Sequence, residues 1–231
     1  MCISGGAFID LDHSPGGWVA SDPGSSRQIA AHGHLFFEGD ARLNLYIIEE
    51  GWAKLYRTLV DGQRQVVGFC SSGSIMGLEG VTEYANACEA VTPLRVRTIP
   101  VKRLVDLCAR DPQLAVLLIG QIGNQLGATQ AQLTSVGAQS ADQKLAAFLL
   151  AVADVSKGRD AEFDLPMRRS EVGEFLGLRL ETVSRKLSDF QRRKWVKMIS
   201  MYRFRLLNRS AMECLAEGGD VEEAGCSAAS A

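Results

Sequence analysis

Apolar residues change their spacing along this chain. From His34 to about Val101 they come in short runs, HLFFEGD, LNLYIIEEGWAKLYRTLV, RQVVGFC and LRVRTIPV, rich in β-branched and aromatic residues and bounded by turn formers. Such runs predict short strands, and a series of them predicts a small antiparallel barrel or double-sheet roll. Asp61-Gly62, between Tyr56–Val60 and Arg64–Phe69, is a two-residue hairpin signal. After Val101 the spacing becomes helical. VKRLVDLCARDP predicts a short helix with a boundary at Asp111-Pro112. Beyond it Ile119, Ile122, Leu126, Thr129, Leu133 and Val136 recur at intervals of 3, 4, 3, 4 and 3. That is an a/d seam, which asks for a partner helix, with a stripe packed on its own domain as the alternative.

A second module follows. In SADQKLAAFLLAVADVSKG, Ser140 is placed to cap a helix, Gly158 to follow its end, and Leu145, Phe148, Leu149 and Val152 to bury one face. A polar connection, Arg159 to Leu165, leads to MRRSEVGEFLGLRLETVSRKLSDFQRRK. There Val172, Phe175 and Leu176 form one helical stripe, and Gly177 supplies the positive-φ residue that ends the helix. Leu180, Val183 and Leu187 continue the spacing in a second helix, with Phe190 one turn on. Glu181, Ser184, Arg185 and Ser188 are left outward, with Arg192, Arg193 and Lys194 behind. WVKMISMYRFRLLN then alternates apolar and basic residues in the manner of a β-hairpin, although its turn lacks glycine.

Composition narrows the possibilities. Nearly half of the 231 residues are apolar, enough to bury cores over most of the chain. No apolar run approaches the ~20 residues of a membrane span, and the N-terminus has no signal-peptide pattern, so a cytoplasmic protein is expected. Six scattered cysteines without a C-x-x-C pair predict free thiols and no zinc site. No metal or cofactor is expected. His13, His32 and His34 read as loop or surface residues rather than haem ligands, and Cys70 and Met76 as core. No hydrolase triad, metalloprotease helix, phosphate loop or dinucleotide fingerprint appears, which argues against an enzyme. Between Leu165 and Arg209, twelve cations face four acids, a surplus of +8 in a chain whose total is −2. A basic module in a mildly acidic chain is the footprint of phosphate contact.

The outward residues of the second helix suit a base-reading edge. Arginine can donate twice to guanine, a carboxylate can accept from cytosine N4, and serine can do either. Two short helices around a tight turn are how a helix-turn-helix meets the major groove. GLRLETVSRKL resembles the recognition segment of the Crp/Fnr family of transcription regulators. Its Glu-x-x-Ser-Arg pattern, Glu181, Ser184 and Arg185, is similar to the Fnr and FixK branch rather than the cAMP-receptor branch. FFEGD, YIIEEGWAKLYR, DGQRQVVGF and GSIMGLEG follow in the order of that family's cyclic-nucleotide-binding roll.

The resemblance implies an α+β chain with a β-roll at 31–110, a dimerisation helix at 111–138 and a winged helix-turn-helix at 139–212, while composition predicts a flexible N-terminal arm at 1–30 and a disordered tail at 213–231. It implies base reading by Leu180, Glu181, Ser184 and Arg185, with Leu180 against a thymine methyl. Phosphate contact would fall to Arg168, Arg169, Arg179, Lys186, Arg192, Arg193, Lys197 and Arg203. The a/d seam would be a homodimer interface, and the partner a palindromic double-stranded DNA related to TTGAT-N4-ATCAA, with RNA polymerase as a further partner. Activation is usual for the branch, which suggests respiration at low oxygen and nitrogen fixation. In members that bind cAMP, a Glu follows the Gly matching Gly77 and an Arg holds the phosphate. Leu78 and Tyr84 stand there, so cyclic-nucleotide binding is not expected. Cys2 is alone in the arm, which disfavours an iron–sulfur sensor. The alternative is a regulator of the same fold gated by a ligand or haem. Arg168 and Arg169 stand where the family often has a Ser or Thr cap, so an acceptor for the first helical N–H groups must come from elsewhere.

Overall fold

The structure is a computed structural model that describes residues 7–8, 25–156 and 162–219. The chain divides into two compact units, Met1–Ala131 and Gln132–Ala231.

Among the described residues, the first unit holds nine strands in two antiparallel sheets. β1 (Ala7–Phe8), β7 (Ser74–Met76), β4 (Asn44–Glu50), β9 (Leu94–Pro100) and β2 (Ser25–Ile29) form one in that spatial order. β3 (His34–Phe36), β8 (Ala87–Ala90), β5 (Ala53–Thr58) and β6 (Arg64–Cys70) form the other. The period-2 geometry of a strand explains why β4 is apolar on both faces. Tyr46 and Ile48 point into the space between the sheets with Leu35, Phe36, Leu55 and Val96. Leu45 and Ile47 point outward, where Ile75, Ile99, Leu114 and Leu118 bury them in a second core. Those last two residues belong to α2 (Pro112–Ala138), which follows α1 (Val101–Arg110). One face of α2 is thus spent on its own roll. Another is not: Val116, Ile119, Ile122 and Leu126 are exposed.

Several expectations shift. The arm expected to reach residue 30 already contains β2, whose Arg27 and Gln28 pair with Val96 and Arg95 on β9. Asp61-Gly62 does not make a two-residue hairpin. Thr58 pairs with Arg64, and the connection between them closes by Leu59 N–H to the Gln63 carbonyl. Cys70 is disulfide-bonded, against the expectation of thiols alone, while Cys88 and Cys108 keep free thiols. The pairing of β2 with β9 joins segments distant in sequence and leaves no spacing signature.

The second unit is built from α3 (Ala141–Val155), β10 (Glu162–Asp164), α4 (Arg169–Leu176), α5 (Leu180–Arg192), β11 (Val196–Met198), β12 (Arg203–Leu206) and α6 (Arg209–Ala216). Ser140 caps α3 as expected, accepting the Gln143 N–H while the Gln143 side chain accepts the Ser140 N–H. Gly158 lies outside the described residues. Leu145, Phe148, Leu149 and Val152 are buried with Val172, Phe175, Val183, Leu187 and Phe190. The hairpin forms without a turn glycine and gains β10 as a third strand, giving the order β10-β12-β11. The polar connection therefore contains a strand, and α6 carries helix into the segment expected as tail.

Candidate nucleic-acid interface

Two features set the angle between α4 and α5. Gly177 adopts φ 66° and ψ 36°, a left-handed conformation that costs glycine no Cβ clash. Gly173 lets the turn close: the Leu178 N–H donates to its carbonyl at 2.9 Å, and a Cβ on Gly173 would meet the Leu178 oxygen at 2.6 Å. At the other end of α4, the buried Glu171 carboxylate accepts the Arg168 N–H at 2.8 Å. Arg168 has no acceptor to return, so this is half of a capping box.

With Val183, Leu187 and Phe190 buried, the opposite edge of α5 faces solvent. Leu180 is 46 % exposed, so it belongs to that edge and not to the buried stripe. Glu181 and Arg185 are exposed and Ser184 is half-buried. These four sit within the first two turns, where side chains of a groove-bound helix meet base edges. The Ser188 hydroxyl is turned back to the Ser184 carbonyl at 2.9 Å. Among the described residues the N-cap Arg179 makes no side-chain cap bond at the start of α5, and Glu181 lies in its first turn, where a carboxylate complements the helix dipole.

The cations separate into groups that charge counting did not reveal. Arg168, Arg179, Arg185, Arg193, Lys194 and Lys197 are exposed. Arg169 lies against the wing, its Nη2 3.8 Å from the Met198 sulfur. Arg193 stacks over Trp195 at 4.9 Å. Others are held by carboxylates. Lys186 Nζ lies 2.6 Å from Asp142, on α3. Arg203 reaches Glu162 at 3.0 Å, and Arg205 shares that carboxylate. Arg192 pairs with Asp189. The Arg205 and Arg203 guanidinium groups hold the Glu162 carboxyl below its ordinary range. Glu162 lies in a segment whose composition predicts a connection, and the alternation E-F-D-L is its only strand signal.

In the roll, the Tyr84 ring stacks on Phe36 at 3.9 Å, Phe36 stacks on Tyr46 at 5.7 Å, and the Tyr84 hydroxyl donates to the Asn44 carbonyl at 2.8 Å. A Cβ on Gly77 would lie 3.0 Å from that ring. Arg42 donates to the carbonyls of Val81 and Gly77, and Arg95 and Arg97 pair with Glu49. Burial raises the Glu79 carboxyl, which the Gly77 N–H and Arg42 offset only in part. His32 and His34 lie beside Glu89, at 3.5 and 3.7 Å, with Lys54 closer at 3.0 Å. Met76 receives the Cys88 thiol at 3.4 Å in the core. His13 lies outside the described residues.

Comparison with known proteins accounts for both units. Residues 143–215 match the Crp-like helix-turn-helix domain, and residues 26–111 match the cyclic nucleotide-binding domain. The nitrogen fixation regulation protein FixK of Azorhizobium caulinodans is 30% identical over 201 residues, 85% of this chain and 81% of that protein. The chain belongs to the Crp/Fnr family, on its FixK-like branch. It is a DNA-binding transcription regulator. The transcriptional activatory protein AadR of Rhodopseudomonas palustris is 32% identical over 171 residues, 71% of this chain and 70% of its own. The solved structure of FixK2 from Bradyrhizobium japonicum superposes with a TM-score of 0.79 at 27% identity, covering 83% of this chain and 96% of that one. The Crp/Fnr fold explains why the helix-turn-helix, the wing and a roll occur in one chain. Among the described residues no helix is long and apolar enough to cross a membrane.

Proposed function

We propose that this Crp/Fnr regulator binds as a homodimer to a palindrome related to TTGAT-N4-ATCAA, in the cytoplasm, and activates transcription there through contact with RNA polymerase. The observation that carries the reading is the solvent-facing edge of α5, where Leu180, Glu181, Ser184 and Arg185 lie together opposite a fully buried stripe. Leu180 meets a thymine methyl, and the three polar groups read base edges. Arg168, Arg169, Arg179, Arg193 and Lys197 supply sequence-independent affinity through phosphates. Lys186, Arg192 and Arg203 hold their carboxylate partners and contribute only if those pairs open on DNA.

The exposed Val116, Ile119, Ile122 and Leu126 on α2 support dimerisation. Two-fold symmetry of the protein then matches that of the site, with half-sites about one helical turn, ~34 Å, apart. Thr129, Leu133 and Val136 extend the same spacing. The aromatic stack in the roll supports binding without a cyclic nucleotide, because Tyr84 supplies no cation for a phosphate. The names of the relatives, a nitrogen fixation regulator and a transcriptional activator, support targets in nitrogen fixation and low-oxygen respiration. Sedimentation with fluorescence anisotropy tests the reading. The parent should be a dimer at micromolar concentration and prefer the full palindrome to one half-site. Leu126→Glu should be monomeric and lose that preference; a parent that is monomeric at that concentration defeats the proposal.

A further inference from the structure

The wing ends in an apolar tip that its own domain leaves uncovered. Met201 is 73 % exposed, Tyr202 48 %, Ile199 43 % and Met198 42 %. Among the described residues of the second unit, the other exposed large apolar side chains are Leu180 and Leu207. The tip is not loose chain. The Ile199 and Ser200 N–H groups both donate to the Arg203 carbonyl, and the Tyr202 carbonyl accepts the Leu165 N–H at 2.7 Å. Val196, Phe204 and Leu206 fill the inner side of the same hairpin, so the exposed set is not the wing's own core.

What adjoins the tip is cationic. Arg169 Nη2 lies 3.8 Å from the Met198 sulfur, which joins the wing to the basic start of α4. Lys197 stands exposed on β11. The two arginines of β12, which a phosphate-clasping wing would extend, are instead drawn to Glu162 on the neighbouring strand. The wing therefore offers thioether, alkyl and phenol surface rimmed by cations.

We infer that this tip seats in the minor groove of A·T base pairs flanking each half-site, resting on the proposed placement of α5 in the major groove. Along a duplex the groove next to the major groove is the minor one, ~6 Å wide, which apolar side chains at a hairpin tip can enter. Methionine, isoleucine and an aromatic edge are side chains that pack on deoxyribose and wedge at base steps. A·T pairs leave the groove floor clear, whereas the 2-amino group of guanine projects from it.

The test uses 2,6-diaminopurine in place of adenine through the half-turn outside each half-site, about five base pairs. This base adds an amino group to the minor groove and leaves the major-groove edge as in adenine. Anisotropy should show the full-length parent binding the modified palindrome about five- to tenfold more weakly than the unmodified one, the lower end of what one mismatched base pair costs. A Met201→Ser, Tyr202→Ser double variant should bind unmodified DNA weaker by a similar factor and bind both duplexes alike. A parent with equal affinity for the two duplexes overturns the inference, as does a double variant that still discriminates. The parental comparison stands even if the variant misfolds. A parent that binds no palindrome at all removes the underlying reading of α5 instead.

Discussion

Replacing Gly173 by alanine separates the demands of a helix from those of the helix-turn-helix. In an ordinary helix interior the change stabilises by about 0.8–1 kcal/mol, because alanine has less chain entropy to lose. Here the added Cβ meets the Leu178 backbone oxygen at 2.6 Å, with the Leu178 and Arg179 carbonyl carbons behind it at 3.6 and 3.7 Å. No flexible side chain can swing aside, and the Leu178 N–H is already bonded back to Gly173 at 2.9 Å. The turn has to move by several tenths of an ångström. Overpacking of this kind costs about 1–3 kcal/mol. After the helical gain, the net is a destabilisation of about 1 kcal/mol, a fall of about 4–8 °C in a domain of this size. Because the turn carries Arg179 and Leu180, DNA affinity should fall as well. Calorimetry and anisotropy on the full chain check both. A melting temperature that rises, with affinity unchanged, would refute the packing argument.

Four more outcomes follow from the geometry. Arg185→Ala should lose about 1–3 kcal/mol of affinity on the parent site and relax preference at one base pair. Lys186→Ala should instead cost under about 1 kcal/mol of stability, since its partly exposed pair with Asp142 is solvent-screened, and change affinity for all sequences alike; anisotropy across single-base variants distinguishes the two. Lys194 sits at φ 59°, so Lys194→Gly should raise the melting temperature by relieving about 1 kcal/mol of left-handed strain. Glu79 holds its proton more tightly folded than unfolded, so stability falls as pH rises through the window above its ordinary 4.5. Glu79→Gln should therefore melt higher than the parent at neutral pH and level with it below about pH 4.

Much of this architecture was legible from residue order. Strand runs in the roll, the cap at Ser140, the stop at Gly177 and the stripe Val183, Leu187, Phe190 all depend on neighbours within about four positions, which is the range of backbone periodicity and capping. The family resemblance rested on the same local stretch and extended to the roll by order of segments. Leu180 shows where periodicity runs out. It has the spacing of the buried stripe and stands in the first turn of α5, yet lies on the exposed edge.

Tertiary structure alone decided what distant residues do to each other. Charge counting grouped Lys186 and Arg203 with the phosphate-facing cations, whereas Asp142 and Glu162, more than forty residues away, take them up. Gly173 carries the turn only because Leu178 comes back over it. β2 and β10 likewise exist through partners that no local window contains. Sequence sets which faces are apolar and where helices start and stop; the fold decides which charges remain for DNA, since a nearby buried or half-buried carboxylate outcompetes a partner not yet bound.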